Sequence, residues 1–347
     1  MSSRLLFFGT ALLSLFISSA ARAESLNLLI WESYIDENLL KRFTAETGVA
    51  INQIYYDSGD KRDEVLADPG SNVDVALVGE TTASLFGRRG VLEALNESNL
   101  PVLKNYETRW RTRCADYAMP YLWGTMGILY RSDIVVEEPS SWHALMTPAP
   151  YLRKHIAMFD DHNEAFIAPL AMLGKSINAN DQPTLKLAFE AMKEQAPSVL
   201  TYDYIITSIQ HDEIGPELYM AVGYSGDQHV LNEKVGKPGL WRYSLPREGS
   251  LFWLDCMAVS AASPRKDLAL KFVNFIGSAE NAKQNAMTLR MPTTNSAAYA
   301  LLPVAIRNNR EIYPDEAALD RSQRQQDLTP ESIQIRRRII SSLVHFQ

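Results

Sequence analysis

Short apolar blocks alternate with amphipathic ones along the first hundred residues, and their periods differ. Residues 26–31 (LNLLIW) form an apolar run of the length and type that makes a buried strand. Residues 36–48 (DENLLKRFTAETG) follow, with Leu39, Leu40 and Phe43 on one helical face and Gly48 as a stop signal. Residues 49–56 (VAINQIYY) then predict a strand, 59–68 (GDKRDEVLAD) a polar helix, 73–79 (VDVALVG) a strand and 81–90 (TTASLFGRRG) a helix. Strand and helix in strict alternation at short intervals predict a parallel α/β sheet with crossover connections. Ligands of such sheets bind outside the carboxyl ends of the strands. Trp31, Glu32, Ser33 and Tyr34 lie at one such end, and Gly79, Glu80 and Thr81 at another.

The pattern changes after residue 135. Residues 141–161 predict a loop, a short helix and a strand. Residues 164–178 (EAFIAPLAMLGKSIN) predict an amphipathic helix, 182–197 a second helix ended by Pro197, and 217–227 a strand and turn. Strands follow within 239–259, helices within 266–289, and a helix within 331–346 whose Ile333, Ile335, Ile339 and Leu343 are apolar. The expected architecture is two α/β lobes with a cleft between them. At 347 residues and 46% hydrophobic, the chain has core enough for two lobes.

The N-terminus reads as a secretory signal peptide over residues 1–23: Arg4, an apolar run from Leu5 to Ile17, and Ala21-Arg22-Ala23 as a small-x-small cleavage site. The apolar run is short for a membrane span. Cleavage removes two arginines and no acid, so the net charge moves from −7 to −9. An acidic exported chain is not expected to bind nucleic acid, and the Arg336-Arg337-Arg338 cluster reads as a solvated helix face. Export permits a disulfide between Cys114 and Cys256, the two cysteines of the chain, but the sequence alone favours two free thiols. Two cysteines and six scattered histidines make no zinc framework, and no cofactor is expected. There is no nucleophile elbow, P-loop or dinucleotide fingerprint, so the chain is not expected to be an enzyme; a glycosidase using Asp161 and Glu164 is the weaker alternative, because acids three residues apart line one wall rather than two.

One stretch stands out. In residues 249–259 (GSLFWLDCMAV) an acid, Asp255, sits two residues after an indole, Trp253, within a run otherwise fit for core. Positions i and i+2 of a strand share a face, so both side chains can address one ligand. A buried acid beside a core Trp is the plain alternative.

The order and spacing of several segments (IWESYIDENLLKRFTAETG, PYLWGTMGILY, DDHNEAF, PREGSLFWLD, MPTTNSAAY, IYPDEA) resemble the periplasmic spermidine/putrescine-binding proteins of polyamine ABC transport systems, across nearly the whole mature chain. The resemblance implies two hinged lobes of the type II periplasmic binding fold, residues 24–127 with 254–300 and residues 128–253 with 301–347, closing over a linear polyamine. It implies a periplasmic monomer that hands its ligand to an inner-membrane ABC permease, or, as in norspermidine-sensor-like relatives, docks a membrane signalling protein controlling cyclic-di-GMP. The chemistry suits Trp253 and Asp255, because each buried ammonium needs an acid and aromatic faces cover methylenes and attract cations.

By resemblance, Trp31 and Tyr34 form an aromatic wall, Asp161 and Glu164 an acid pair, Tyr224 takes the place of a family Trp, and Gln325 supplies an amide to an amine. Acids at a helix start are also favoured by the helix dipole. The chain departs from the family at Glu32, an added acid where a hydroxyl residue is usual. Gly79 and Thr81 stand for a Ser and a Tyr, and Met291 for another Tyr. The aromatic box is therefore thinner, which leaves open the choice among spermidine, putrescine and norspermidine.

Overall fold

Strand β1 (Ser25–Ile30) pairs in parallel with β2 (Ala50–Tyr55) and β3 (Val75–Gly79), each followed by a helix that returns the chain: Glu37–Thr47, Gly59–Ala67 and Glu80–Arg88. In this computed structural model residues 24–344 are described, apart from 57, 212 and 315; the signal peptide read at 1–23 lies outside the described residues. The local chemistry is as the pattern predicts. Asp36 caps the first helix by accepting from the Asn38 amide at 2.9 Å, and Gly48 ends it at φ +73°, where a side chain would be strained.

The remaining strands are β4 (Ala118–Arg131), β5 (Ile156–Ala157), β6 (Val199–Thr201), β7 (Met220–Tyr224), β8 (Trp241–Ser244), β9 (Leu251–Val259) and β10 (Gln323–Arg324). The strand order is β2-β1-β3-β9-β4-β7-β5-β6, with β8 on β4 and β10 on β9. Two strands are shared between lobes. The first half of β4, to Thr125, pairs with β9; from Met126 the same strand pairs with β7 and β8. Its register on β9 shifts between Pro120 and Trp123, where proline offers no N–H to the ladder. The first lobe is thus β1, β2, β3, most of β9 and half of β4; the second is the rest of β4 with β5, β6, β7 and β8. Alongside, the Pro292 carbonyl accepts from the Trp123 amide at 3.3 Å and Thr293 bridges to Leu122.

Alternation along the first lobe's strands fills two cores. Val75, Leu77, Met257 and Val259 face the helices carrying Leu39, Phe43, Phe272 and Val273; Ala76, Val78, Leu254 and Cys256 face those carrying Leu66 and Phe86. This sheet is mixed, β1, β2 and β3 being parallel and β9 antiparallel to β3 and β4, and because both faces are covered it needs apolar residues on both.

Three sequence expectations need correction. Cys114 and Cys256 are not free thiols: they form a disulfide, with Cα atoms 6.0 Å apart and 142 residues between them. The 3-10 turn Thr112–Cys114 packs on the same core face as Cys256, a proximity that only tertiary folding creates. Residues 164–178 are not one amphipathic helix but a 3-10 turn (Glu164–Phe166) and a helix (Ile167–Met172) whose first five residues are all buried. This helix lies inside the second lobe's core rather than on its surface. Arg336 is not on a solvated face; it is 1% exposed, while Arg337 and Arg338 are exposed. Its guanidinium donates to the carbonyls of Ile177 and Ala179 at 3.1 and 2.8 Å and lies 4.7 Å from the Phe166 ring centroid. No helix among the described residues is long and apolar enough to cross a membrane.

Candidate functional site

The first-lobe wall is built on β9. Leu254 and Cys256 are buried, while Trp253 and Asp255 on the opposite face are partly exposed, as a two-residue period requires. Asp255 stands across from Gly79 in the β3 register, and the space a Cβ would fill at Gly79 is open to at least 4 Å. The acid therefore looks into a hollow. Tyr34 donates its hydroxyl hydrogen bond to Asp255 Oδ2 at 2.9 Å. Behind it Tyr121 donates to the Tyr34 carbonyl at 2.8 Å, and Asn285 donates to the Tyr121 hydroxyl at 2.8 Å, which fixes the Tyr34 ring. Burial raises the Asp255 pKa to about 6, against the Tyr34 hydrogen bond and the Arg62 charge, which both favour the carboxylate. Trp31 packs against Tyr56, ring centroids 4.4 Å apart, beside the same hollow.

Trp253 lies at the hinge. It pairs with Gly124 of β4, and a Cβ at Gly124 would fall 2.3 Å from the indole. Only glycine lets the ring lie this close to the strand. Ser225 completes the seat, accepting from the Thr125 amide at 3.1 Å.

The second-lobe wall is an acid pair under a tyrosine. Asp161 Oδ1 accepts from the amides of Asn163 and Glu164 at 2.6 and 3.2 Å, so it does cap the turn. Its carboxyl also lies close enough to that of Glu164 for the two to influence each other's titration. Burial, then the neighbouring Asp161, push the Glu164 pKa well up; on Asp161 hydrogen bonds outweigh burial and hold the pKa down. Of the two, Glu164 therefore holds its proton to higher pH than Asp161. Tyr224 donates to Glu164 Oε1 at 3.0 Å, flanked by Phe159 at 5.8 Å and Tyr204 at 6.4 Å between centroids. Asp227 accepts from the Tyr224 amide at 2.8 Å.

The sheet register brings the walls together. Trp253 sits opposite Gly124 and Tyr224 opposite Met126, on the two edges of β4 and two residues apart, hence on one face and about 7 Å apart along the strand. The register thus sets Trp253 of β9 and Tyr224 of β7, the hydrogen-bond partner of Glu164, about one stretch of β4, while Asp161 also borders a cavity lined by His162, Arg337, Ile340 and Val344. Met291 reaches across: its Cε is 3.2 Å from where a Cβ on Gly226 would be, in the turn after β7. Glu32 and Thr81 are exposed, in the turn after β1 and the first turn of helix Glu80–Arg88. Gln325 is exposed after β10, along a groove with Asn163, Asn178, Leu251 and Arg336. Sequence reasoning missed Tyr56, Arg62, Tyr121, Phe159 and Tyr204. The strand-end rule points to Tyr56, the second residue of the pair closing VAINQIYY; nothing local marks the others. Among the described residues no group of His, Cys, Asp and Glu is arranged to hold a metal.

Two α/β lobes that share β4, with acids and rings carried on the strands that flank it, have the frame of a solute-binding protein. The chain belongs to the bacterial extracellular solute-binding protein family, whose description matches residues 38–312. It is 31% identical over 326 residues to the norspermidine sensor of Vibrio cholerae, covering 94% of this chain and 90% of that one. It is 28% identical over 321 residues to the spermidine/putrescine-binding periplasmic protein of Escherichia coli, covering 89% and 90%. The solved spermidine/putrescine ABC transporter substrate-binding protein of Streptococcus pneumoniae matches at a TM-score of 0.80 and 24% identity, over 93% of this chain and 99% of that one, a likeness of fold.

Proposed function

We propose that this protein binds a linear polyamine in the periplasm and delivers it to an inner-membrane ABC permease. The observation that carries the reading is the pairing of two acid centres with one indole between them: Asp255 with Tyr34 on one side, Asp161 and Glu164 with Tyr224 on the other. A protonated amine at Asp255 supplies the charge that burial now denies this carboxylate, and a second amine takes the acid pair. Trp253 covers the methylenes between them, and each ring facing an ammonium contributes on the order of 1–2 kcal/mol. Trp31 closes the first-lobe side; Glu32 and Thr81 serve the mouth, and Gln325 approaches from the tail segment. Lobes made of 24–127 with 254–300 and 128–253 with 301–347 close about the hinge as a monomer, and ligand stabilises the closed shape that a partner reads.

A sensor that docks a membrane signalling protein is the second reading. It is favoured by the 31% identity to a norspermidine sensor, against 28% to the Escherichia coli binding protein. Uptake of labelled polyamine in a strain lacking this protein separates the two, since a pure sensor leaves uptake unchanged.

Native mass spectrometry of the protein purified without added ligand tests the common core of both readings. A mass increment matching a di- or triamine is expected. Recovery of an anionic or neutral solute on a protein that ignores added spermidine would refute it.

A further inference from the structure

The first-lobe end of the cleft carries a cation of its own. Arg62, on helix Gly59–Ala67, is 8% exposed. It donates to Thr82 Oγ1 at 2.8 Å and to Asp63 Oδ1 at 2.8 Å, and its guanidinium lies 5.7 Å from the Tyr56 ring centroid. Tyr56 in turn packs on Trp31. Thr82 is three residues past Gly79, the register partner of Asp255. Guanidinium, phenol and indole therefore lie in series at this end of the sheet, the guanidinium near enough to Asp255 for its charge to act there, and the face of Tyr56 that would meet a ligand cation already meets a resident one.

We infer that Arg62 is a fixed cationic stop that ends the ligand site at Asp255 and selects di- and triamines over longer polyamines. The inference rests on the polyamine reading. A longer chain running past Asp255 would set its next ammonium against the guanidinium, a like-charge contact that rejects the wrong ligand rather than attracting the right one. Asp63 neutralises Arg62 only in part, because its side chain is 35% exposed and screened by solvent. The Arg62 charge also favours the Asp255 carboxylate, yet burial still keeps that pKa at about 6, so the acid retains need of a ligand cation.

The test is calorimetry with putrescine, norspermidine, spermidine and the tetraamine spermine, on the unaltered protein, Arg62→Met and Arg62→Lys. The unaltered protein and Arg62→Lys should bind spermine at least about tenfold more weakly than spermidine. Arg62→Met should shrink that ratio about tenfold or more. In Arg62→Met the acid limb of spermidine binding should also move to higher pH, because Asp255 loses a compensating charge. If the Met variant melts before it can be titrated, Arg62→Gln, which keeps a donor for Thr82, takes its place with the same expectation. An unchanged spermine-to-spermidine ratio in the neutral variant overturns the role of Arg62 and leaves polyamine binding standing. Failure of the unaltered protein to bind any of the four amines overturns both.

Discussion

Asp255 is held in a strained electrostatic position. An aspartate in the unfolded chain titrates near 3.8; in the fold burial raises this to about 6. Between those pH values the native protein holds a proton that the unfolded chain has lost. The stability that this gives is full below about 4, fades as pH rises through 6, and is gone at neutral pH, where the buried charge acts against folding. Asp255→Asn keeps the acceptor for Tyr34 and removes the charge. The ligand-free variant should therefore be more stable than the unaltered protein at pH 7.5, by on the order of 1–3 kcal/mol in urea titrations, and equal to it near pH 4. A variant less stable at neutral pH would mean that the carboxylate is satisfied without ligand. The same titration governs binding: amine affinity should be steady above pH 7 and fall on acidification through about 6, with a proton released on binding between pH 5 and 6. Calorimetry in buffers of differing ionisation enthalpy reads that proton directly.

The hinge strands couple the two lobes, and their chemistry is local. Gly124→Ala would drive a Cβ to within 2.3 Å of the Trp253 indole, so the ring must leave its seat. Polyamine affinity should drop about tenfold or more with little change in secondary structure by circular dichroism, whereas Gly79→Ala, which meets open space, should change affinity far less. The Cys114–Cys256 bond ties the turn before β4 to β9 across 142 residues. Replacing both cysteines with serine should lower stability by about 2–5 kcal/mol, read as a fall in melting temperature that reducing agent reproduces in the unaltered protein. No fall on reduction would show that the bond contributes nothing to folding.

Much of this was legible along the chain. The strand–helix alternation of residues 26–90, the Gly48 stop and the shared face of Trp253 and Asp255 all follow from period and local chemistry. What was not legible depended on distant partners. Nothing around Cys114 announces Cys256. Arg336 looks like its neighbours Arg337 and Arg338 until the carbonyls of Ile177 and Ala179 enclose it. Arg62 sits in a polar helix whose spacing gives no hint that its guanidinium reaches Tyr56 and Thr82.

At the scale of the whole molecule, β4 and β9 carry the design. One strand presents Gly124 to Trp253 of β9 and, two residues on, Met126 to Tyr224 of β7. A dication spanning from Asp255 to the Asp161–Glu164 pair touches both lobes, and its binding free energy is what holds them together. Removal of either acid centre should weaken binding and leave the other wall intact. The most direct test is titration of spermidine at pH 7.5 into the unaltered protein, Asp255→Asn and Glu164→Gln. The expected result is a single site in the unaltered protein and at least about a tenfold loss in Asp255→Asn and in Glu164→Gln. Equal affinity in all three proteins would contradict the two-centred cation site.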